Sequence, residues 1–178
     1  MLEVYLTENE SVHEKAKILI ARHICGSFEV KTTENGKPYI EGNPLYFSVS
    51  HSRTVAVIAL SDSPVGVDTE IFTNRKFESV LNRFTTSEKV EINGDFTAFL
   101  KNWTVKEAFI KMNGGTLATD LKKLEFVDGK LYCDGKLQCS AISVLSLKNR
   151  GICSICGGVP ILESDLKRFR LRKGEALK

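Results

Sequence analysis

The sequence predicts an α+β protein made of two similar halves, and three observations carry that prediction. Residues 54–60 are an almost continuous run of apolar and β-branched residues, and Ser61-Asp62-Ser63-Pro64 separates them from a second strand at 65–71, which reads as strand, turn, strand. Residues 10–24 and 96–112 place apolar side chains at helical spacing. Tyr46-Phe47-Ser48-Val49-Ser50 followed by Val55-Ala56-Val57-Ile58 is echoed by Ala141-Ile142-Ser143-Val144 followed by Gly151-Ile152-Cys153-Ser154-Ile155. Each is a strand, a polar turn and a strand of small or branched residues. The expected halves are residues 1–63 and 64–178.

Taken in order, residues 10–24 form a helix, with Ala16, Ile18, Leu19, Ile20, Ala21 and Ile24 as its apolar positions, Ser11 as N-cap and Gly26 closing it. Residues 28–31 and 39–40 are extended pieces around Asn35-Gly36-Lys37-Pro38. Strands follow at 45–50, 54–60 and 65–71, then short helices at 77–83 and 87–92. The helix at 96–112 stops at Asn113-Gly114-Gly115. Residues 124–162 read as hairpins, with Asp128-Gly129 and Asp134-Gly135 as turns. The basic tail from residue 165 is expected to be helical or frayed.

Bulk properties narrow the function. A chain of 178 residues, 42% hydrophobic and 26% charged, is an ordinary globular composition. The net charge of +3 suits a polyanionic small molecule or an acidic partner, and no basic block interleaved with aromatics argues for nucleic acid. The N-terminal residues do not read as a secretory signal, and no apolar run is long enough to span a bilayer. Five irregularly spaced cysteines read as reduced thiols in a cytoplasmic protein. Cys153 and Cys156 have C-x-x-C spacing, but on a strand residues three apart face opposite ways, which makes a poor metal pair.

The chemistry concentrates in two segments, Gly66-Val67-Asp68-Thr69-Glu70 and Trp103-Thr104-Val105-Lys106-Glu107-Ala108-Phe109-Ile110-Lys111. In a strand, Asp68 and Glu70 share a face, about 7 Å apart along the chain, with Val67, Thr69 and Ile71 on the other. The same alternation also describes a half-exposed strand with a solvated acidic face. On the helix, Phe99, Leu100, Trp103 and Ile110 form an apolar arc with Glu107 near its centre. A carboxylate there is costly to bury alone. Either the arc opens onto a cleft or Glu107 has a cationic partner, and Lys111 lies one turn on. A surface Glu→Lys pair, worth about 0.3–0.5 kcal/mol, is the plain alternative. It fits poorly with Trp103 and Leu100 on the same face. A metal held jointly by Asp68, Glu70 and Glu107 accounts for all three acids, and lysines beside it suit a phosphate-bearing substrate. Ser48-Val49-Ser50-His51-Ser52-Arg53 ends a strand and enters a turn, where His51 can donate to a phosphate oxygen or be incidental. Gly114-Gly115 matches neither a Walker loop nor a dinucleotide fingerprint.

Phe47-x-x-Ser50-His51-Ser52, Gly66-Val67-Asp68-Thr69-Glu70 and Trp103-Thr104-x-Lys106-Glu107-Ala108-x-x-Lys111 together resemble the three ordered signatures of 4′-phosphopantetheinyl transferases of the surfactin-synthetase type. Gly36-Lys37-Pro38 and Phe84-Thr85-x-x-Glu88 also resemble family segments. The resemblance implies a pseudo-twofold pair of α+β halves with coenzyme A in the cleft between them. It implies transfer of phosphopantetheine from coenzyme A to a serine of an apo acyl or peptidyl carrier protein, releasing adenosine 3′,5′-bisphosphate. By the same resemblance, Asp68, Glu70 and Glu107 would ligate Mg²⁺, and Ser50 and His51 would contact coenzyme A phosphates. Lys37, Lys106 and Lys111 would offer positive charge to the coenzyme. Asp68, Glu107 and Lys111 form the implied catalytic set, with Glu107 the candidate base for the serine proton. Only 46 residues precede Phe47, fewer than is usual in the family, so His13, Lys15 and Arg22 are candidate replacements for basic coenzyme contacts. Ser48 stands where the family often has asparagine. Arg75, Lys76, Arg83 and Lys89, within residues 73–95, form a candidate patch for an acidic carrier. Two halves in one chain favour a monomer. A catalytically weak adaptor of the same fold, binding coenzyme A or a carrier, is the alternative.

Overall fold

The computed structural model describes residues 1–73, 77–138, 140–148 and 150–170. In chain order the elements are β1 (Leu2–Glu8), α1 (Val12–Ala21), β2 (Val30–Thr32), β3 (Pro38–Ile40), β4 (Tyr46–Ser52), β5 (Val55–Ser61) and β6 (Gly66–Ile71). Then come α2 (Glu78–Leu81), α3 (Thr86–Ile92), α4 (Phe96–Asn113) and α5 (Leu117–Asp120). The chain continues with β7 (Leu124–Val127), β8 (Lys130–Cys133), β9 (Lys136–Leu137), β10 (Ala141–Ser146), β11 (Gly151–Gly157) and β12 (Lys167–Arg168).

The echo in the sequence becomes a shared topology. β1, α1, β4 and β5 run strand, helix, strand, strand, with sheet order β1-β5-β4. The main elements of the second unit, β6, α4, β10 and β11, repeat the pattern with order β6-β11-β10. In each unit the last strand is central and antiparallel to both neighbours.

Strand periodicity explains how the units stack. Ala56, Ile58 and Leu60 of β5 pack on Val12, Ala16, Leu19 and Ile20 of α1. The intervening Val57 and Ala59 face the second sheet, where they meet Val67, Cys153 and Ile155. On β11, Cys156 turns the other way, toward Val105, Ala108 and Phe109 of α4. The layers are therefore helix, sheet, sheet, helix, with an apolar core between the sheets. Cys153 and Cys156 lie on opposite faces as their spacing predicts, and both are free thiols.

Helix ends follow from local chemistry. Asp95 caps α4 by accepting from the Thr97 N–H at 2.7 Å, and Gly114 ends it at φ 69°. Thr85 and Glu88 form a capping box on α3. Several expectations are corrected. α1 is shorter than 10–24: Ser11 sits at its N-cap position with φ 53° and makes no side-chain cap bond, and Arg22 rather than Gly26 ends it. The expected helix at 77–83 is one turn long. α4 is buried almost all round rather than along one arc, because β6, β11, α3 and β7 wrap it. Residues 167–168 of the basic tail are a strand, which pairs in parallel with β1 and so adds to the first unit's sheet.

Candidate active site

β4 and β6 are facing edge strands of the two sheets, and no backbone ladder joins them. Three alternate serines stitch them instead. The Val67, Thr69 and Ile71 N–H groups donate to the hydroxyls of Ser48, Ser50 and Ser52 at 3.0, 3.2 and 3.3 Å. Two of those hydroxyls then donate to acids: Ser50 to Asp68 Oδ1 and Ser52 to Glu70 Oε2, both at 2.8 Å. Period-2 alternation thus sets a row of serines against a row of carboxylates.

Gly66 brings the helix to this row. A Cβ at that position would lie 1.9 Å from the Ala108 carbonyl oxygen and 2.5 Å from the Met112 nitrogen, so only glycine lets α4 lie directly on β6. Lys111 and Glu107, one turn apart on α4, then face the strand's acids. Lys111 Nζ is 2.6 Å from Asp68 Oδ1, 3.2 Å from Ser50 Oγ and 3.8 Å from Glu107 Oε2. Burial is the main force raising the Glu107 carboxyl to about 8. The Asp68 charge adds to it, Lys111 opposes it, and Glu70 adds again. Burial also pushes Asp68 upward, against the pull of Lys111 and Ser50.

The three acids fit a hard divalent cation in chemistry, since all offer carboxylate oxygens. Asp68 Oδ2 is buried and has no hydrogen-bond partner, the state expected of a ligand atom. Among the described residues no three acids are drawn together into a ready-made cage, and Lys111 supplies the positive charge at Asp68.

Lys111 also lines a cavity of about 500 Å³ between α1, the β2–β3 hairpin, β4 and the C-terminal end of α4. Lys37 lines the same cavity, and its Nζ donates to the Met112 carbonyl at that helix end. Burial lowers the Lys37 ammonium below the usual lysine range. Asn35 Nδ2 donates to the Gly114 carbonyl at 2.9 Å, docking the turn on the helix. Of the basic residues considered near the N-terminus, His13 lines this cavity. Lys15 is buried against the Glu8 carbonyl, and Arg22 lies over the Phe169 ring. His51 is exposed on the face of β4 that carries Phe47 and Val49, beyond the cavity lining, while Ser50 is buried against Asp68.

Lys106, expected at the coenzyme, stands elsewhere. It is fully buried, with Nζ 3.0 Å from both Glu88 oxygens and 4.5 Å from the Phe84 ring centroid. Glu88 also accepts from the Thr85 and Phe126 N–H groups at 2.8 Å. Phe84-Thr85-x-x-Glu88 and Lys106 therefore lock α3, α4 and β7 together. The serine seam was not anticipated, although its signal, serine at 48, 50 and 52 against Asp68 and Glu70, is visible in the sequence. Of the candidate docking patch, Arg83 and Lys89 are exposed, and Arg75 and Lys76 lie outside the described residues. No helix among the described residues is long and apolar enough to cross a membrane.

Comparison with known proteins finds phosphopantetheinyl transferases. A 4′-phosphopantetheinyl transferase AcpT of Salmonella typhi is 33% identical over 109 residues, covering 56% of this chain and 57% of that protein. An L-aminoadipate-semialdehyde dehydrogenase-phosphopantetheinyl transferase of Xenopus laevis is 33% identical over 135 residues, 61% of this chain and 45% of its own. The 4′-phosphopantetheinyl transferase Sfp of Bacillus subtilis is 29% identical over 112 residues, 60% and 49% of the two chains. The chain thus spans about half the length of these curated relatives. The model of the 4′-phosphopantetheinyl transferase superfamily matches residues 64–156, a stretch that carries Asp68, Glu70, Glu107 and Lys111, and this chain belongs to that superfamily.

Proposed function

We propose that this protein transfers the 4′-phosphopantetheine group of coenzyme A to a serine of an apo acyl or peptidyl carrier protein, with adenosine 3′,5′-bisphosphate as the leaving group. The observation that carries the reading is the contact of Lys111 with both Asp68 on β6 and Glu107 on α4, with Lys111 also lining the cavity that Lys37 lines. On this reading the two units are related by a pseudo-twofold axis and the substrate lies in the cleft between them. The protein acts as a cytoplasmic monomer, since both halves lie in one chain.

Mg²⁺ held by Asp68, Glu70 and Glu107 would neutralise charge on the pyrophosphate. The chain's own groups do the rest. The cavity takes the nucleotide end, where Lys37, His13 and Lys111 offer cationic or hydrogen-bonding contacts to phosphate, and His51 contacts phosphate from the strand end. Lys111 reaches both the cavity and Asp68, so it can follow charge onto the leaving bisphosphate. Ser50 and Ser52 position Asp68 and Glu70. The carrier serine hydroxyl attacks the β-phosphorus as the bond to the leaving phosphate oxygen breaks. Its proton passes to Glu107, directly or through a water. Burial first, and then the Asp68 charge, raise the Glu107 carboxyl to about 8 in the metal-free site, so Glu107 must lose its own proton before it can take this one, and a cation beside it would favour that ionised form.

Intact-mass spectrometry of an apo acyl carrier protein tests the reading, after incubation with this protein, coenzyme A and Mg²⁺. The expected result is a mass gain of one phosphopantetheine, lost with Glu107→Gln and without the metal. No gain across several acyl and peptidyl carriers, by a folded protein, would sink it.

A further inference from the structure

We infer that an arginine-lined groove beside the acid cluster docks an acidic stretch of the protein substrate, an inference that takes the identity of its partner from the transferase reading. The groove, of about 640 Å³, lies among the end of β1, the β4–β5 turn, the β10–β11 turn and β12, and Arg53, Arg150, Arg168 and Arg170 line it. All four are exposed, and none meets a carboxylate at ion-pair distance among the described residues.

Their backbones are fixed. Arg53 adopts φ 52°, uncommon for a long side chain, in a turn pinned by Asn9. The Asn9 side-chain amide donates to the Arg53 carbonyl at 2.8 Å, and its N–H donates to the Thr54 carbonyl at 2.9 Å. Arg150 donates its N–H to the Leu147 carbonyl, and its own carbonyl accepts from the Phe72 N–H. The Phe169 N–H donates to the Leu6 carbonyl at 3.0 Å, seating Arg168 and Arg170 on either side of the buried Phe169. A second observation is independent of charge. Thr7, which lines the same groove, is 8% exposed, and its hydroxyl has no hydrogen-bond partner.

Guanidinium groups match carboxylate and phosphate alike. Here a carboxylate-bearing segment is favoured. Glu8 and Glu10 line the same groove, so a concentrated polyphosphate is repelled while spaced carboxylates can alternate with them. Arg53 also lines the neighbouring groove of about 350 Å³ that holds Glu70, Phe99 and Trp103. A protein gripped by the arginines therefore has its adjacent surface at the acids.

The test uses an Arg150→Glu/Arg168→Glu variant of the full chain, checked for an unchanged melting temperature, with an apo acyl carrier protein as probe. The KM for the carrier should rise about tenfold or more and lose most of its salt dependence, with kcat at saturation and the KM for coenzyme A unchanged. Anisotropy of a fluorescein-labelled apo carrier gives a second readout that needs no turnover. Binding that fails in the variant supports the groove even if the wild-type protein transfers nothing, which would sink the transferase reading alone. Equal carrier binding by both proteins, or no binding by either, overturns the groove. A rise in the KM for coenzyme A instead also overturns it, by assigning the arginines to the nucleotide.

Discussion

Glu107 carries an unusual proton. Its folded-state affinity is about 8, set by burial first and then by the charge of Asp68, against an ordinary carboxyl value of 4.5. The unfolded chain releases that proton near 4.5, so between 4.5 and about 8 the folded state binds more protons than the unfolded. Stability must then fall as pH rises through this window. Thermal melts of the metal-free protein should decline from pH 5 to pH 8, and Glu107→Gln should flatten the decline. If the variant falls as steeply as the parent, the proton does not reside on Glu107. Alternation on one strand and a helical turn on the other made Asp68, Glu70, Glu107 and Lys111 legible in the sequence. The role of Lys106 was not, because its partner Glu88 lies eighteen residues away on another helix and no local pattern reports that pairing. Removing one member of so buried a pair leaves the other uncompensated. Lys106→Ala should cost about 3–5 kcal/mol in chemical denaturation, and Lys106→Met with Glu88→Gln much less. In neither variant should the residual KM for coenzyme A change, whereas a coenzyme-contacting lysine would raise it.

Between elements, the contact of β6 with α4 sets the site. Gly66 has no room for a side chain against the Ala108 carbonyl, so Gly66→Ala must push strand and helix apart. The expected cost is about 3 kcal/mol or more, larger than propensity alone explains. A folded remnant should have Lys111 detached from Asp68 and no measurable Mg²⁺ binding by calorimetry. Wild-type metal affinity in that variant would refute the close-packing account. Most element positions were legible, since β5 is a near-continuous apolar run, α4 is a long segment stopped by Asn113-Gly114-Gly115, and the turns at Asp128-Gly129 and Asp134-Gly135 supply positive φ. Element ends were less so. Ser11 has the composition of an N-cap but adopts a left-handed conformation as the chain leaves β1, and β12 is extended because the β1 edge offers it a ladder.

At the scale of the molecule, two strand-helix-strand-strand units stack sheet to sheet, and the strand-turn-strand echo of the sequence falls on β4–β5 and β10–β11. The stacking itself was not readable, because Val57 and Ala59 look like any buried strand residues until their partners Val67, Cys153 and Ile155 are known. The serine seam has a consequence for motion. Along β6, successive amides point to opposite edges: one set into the β11 ladder, the other, Val67, Thr69 and Ile71, onto hydroxyls of β4. A hydroxyl releases an amide by rotating about one bond, without melting a sheet. Hydrogen exchange along this strand should therefore alternate, with 67, 69 and 71 exchanging faster than 68 and 70. A single uniform rate would mean that the seam opens only with global unfolding. The strand that carries the acids thus also serves as a clock for the parting of the two halves, read one amide at a time.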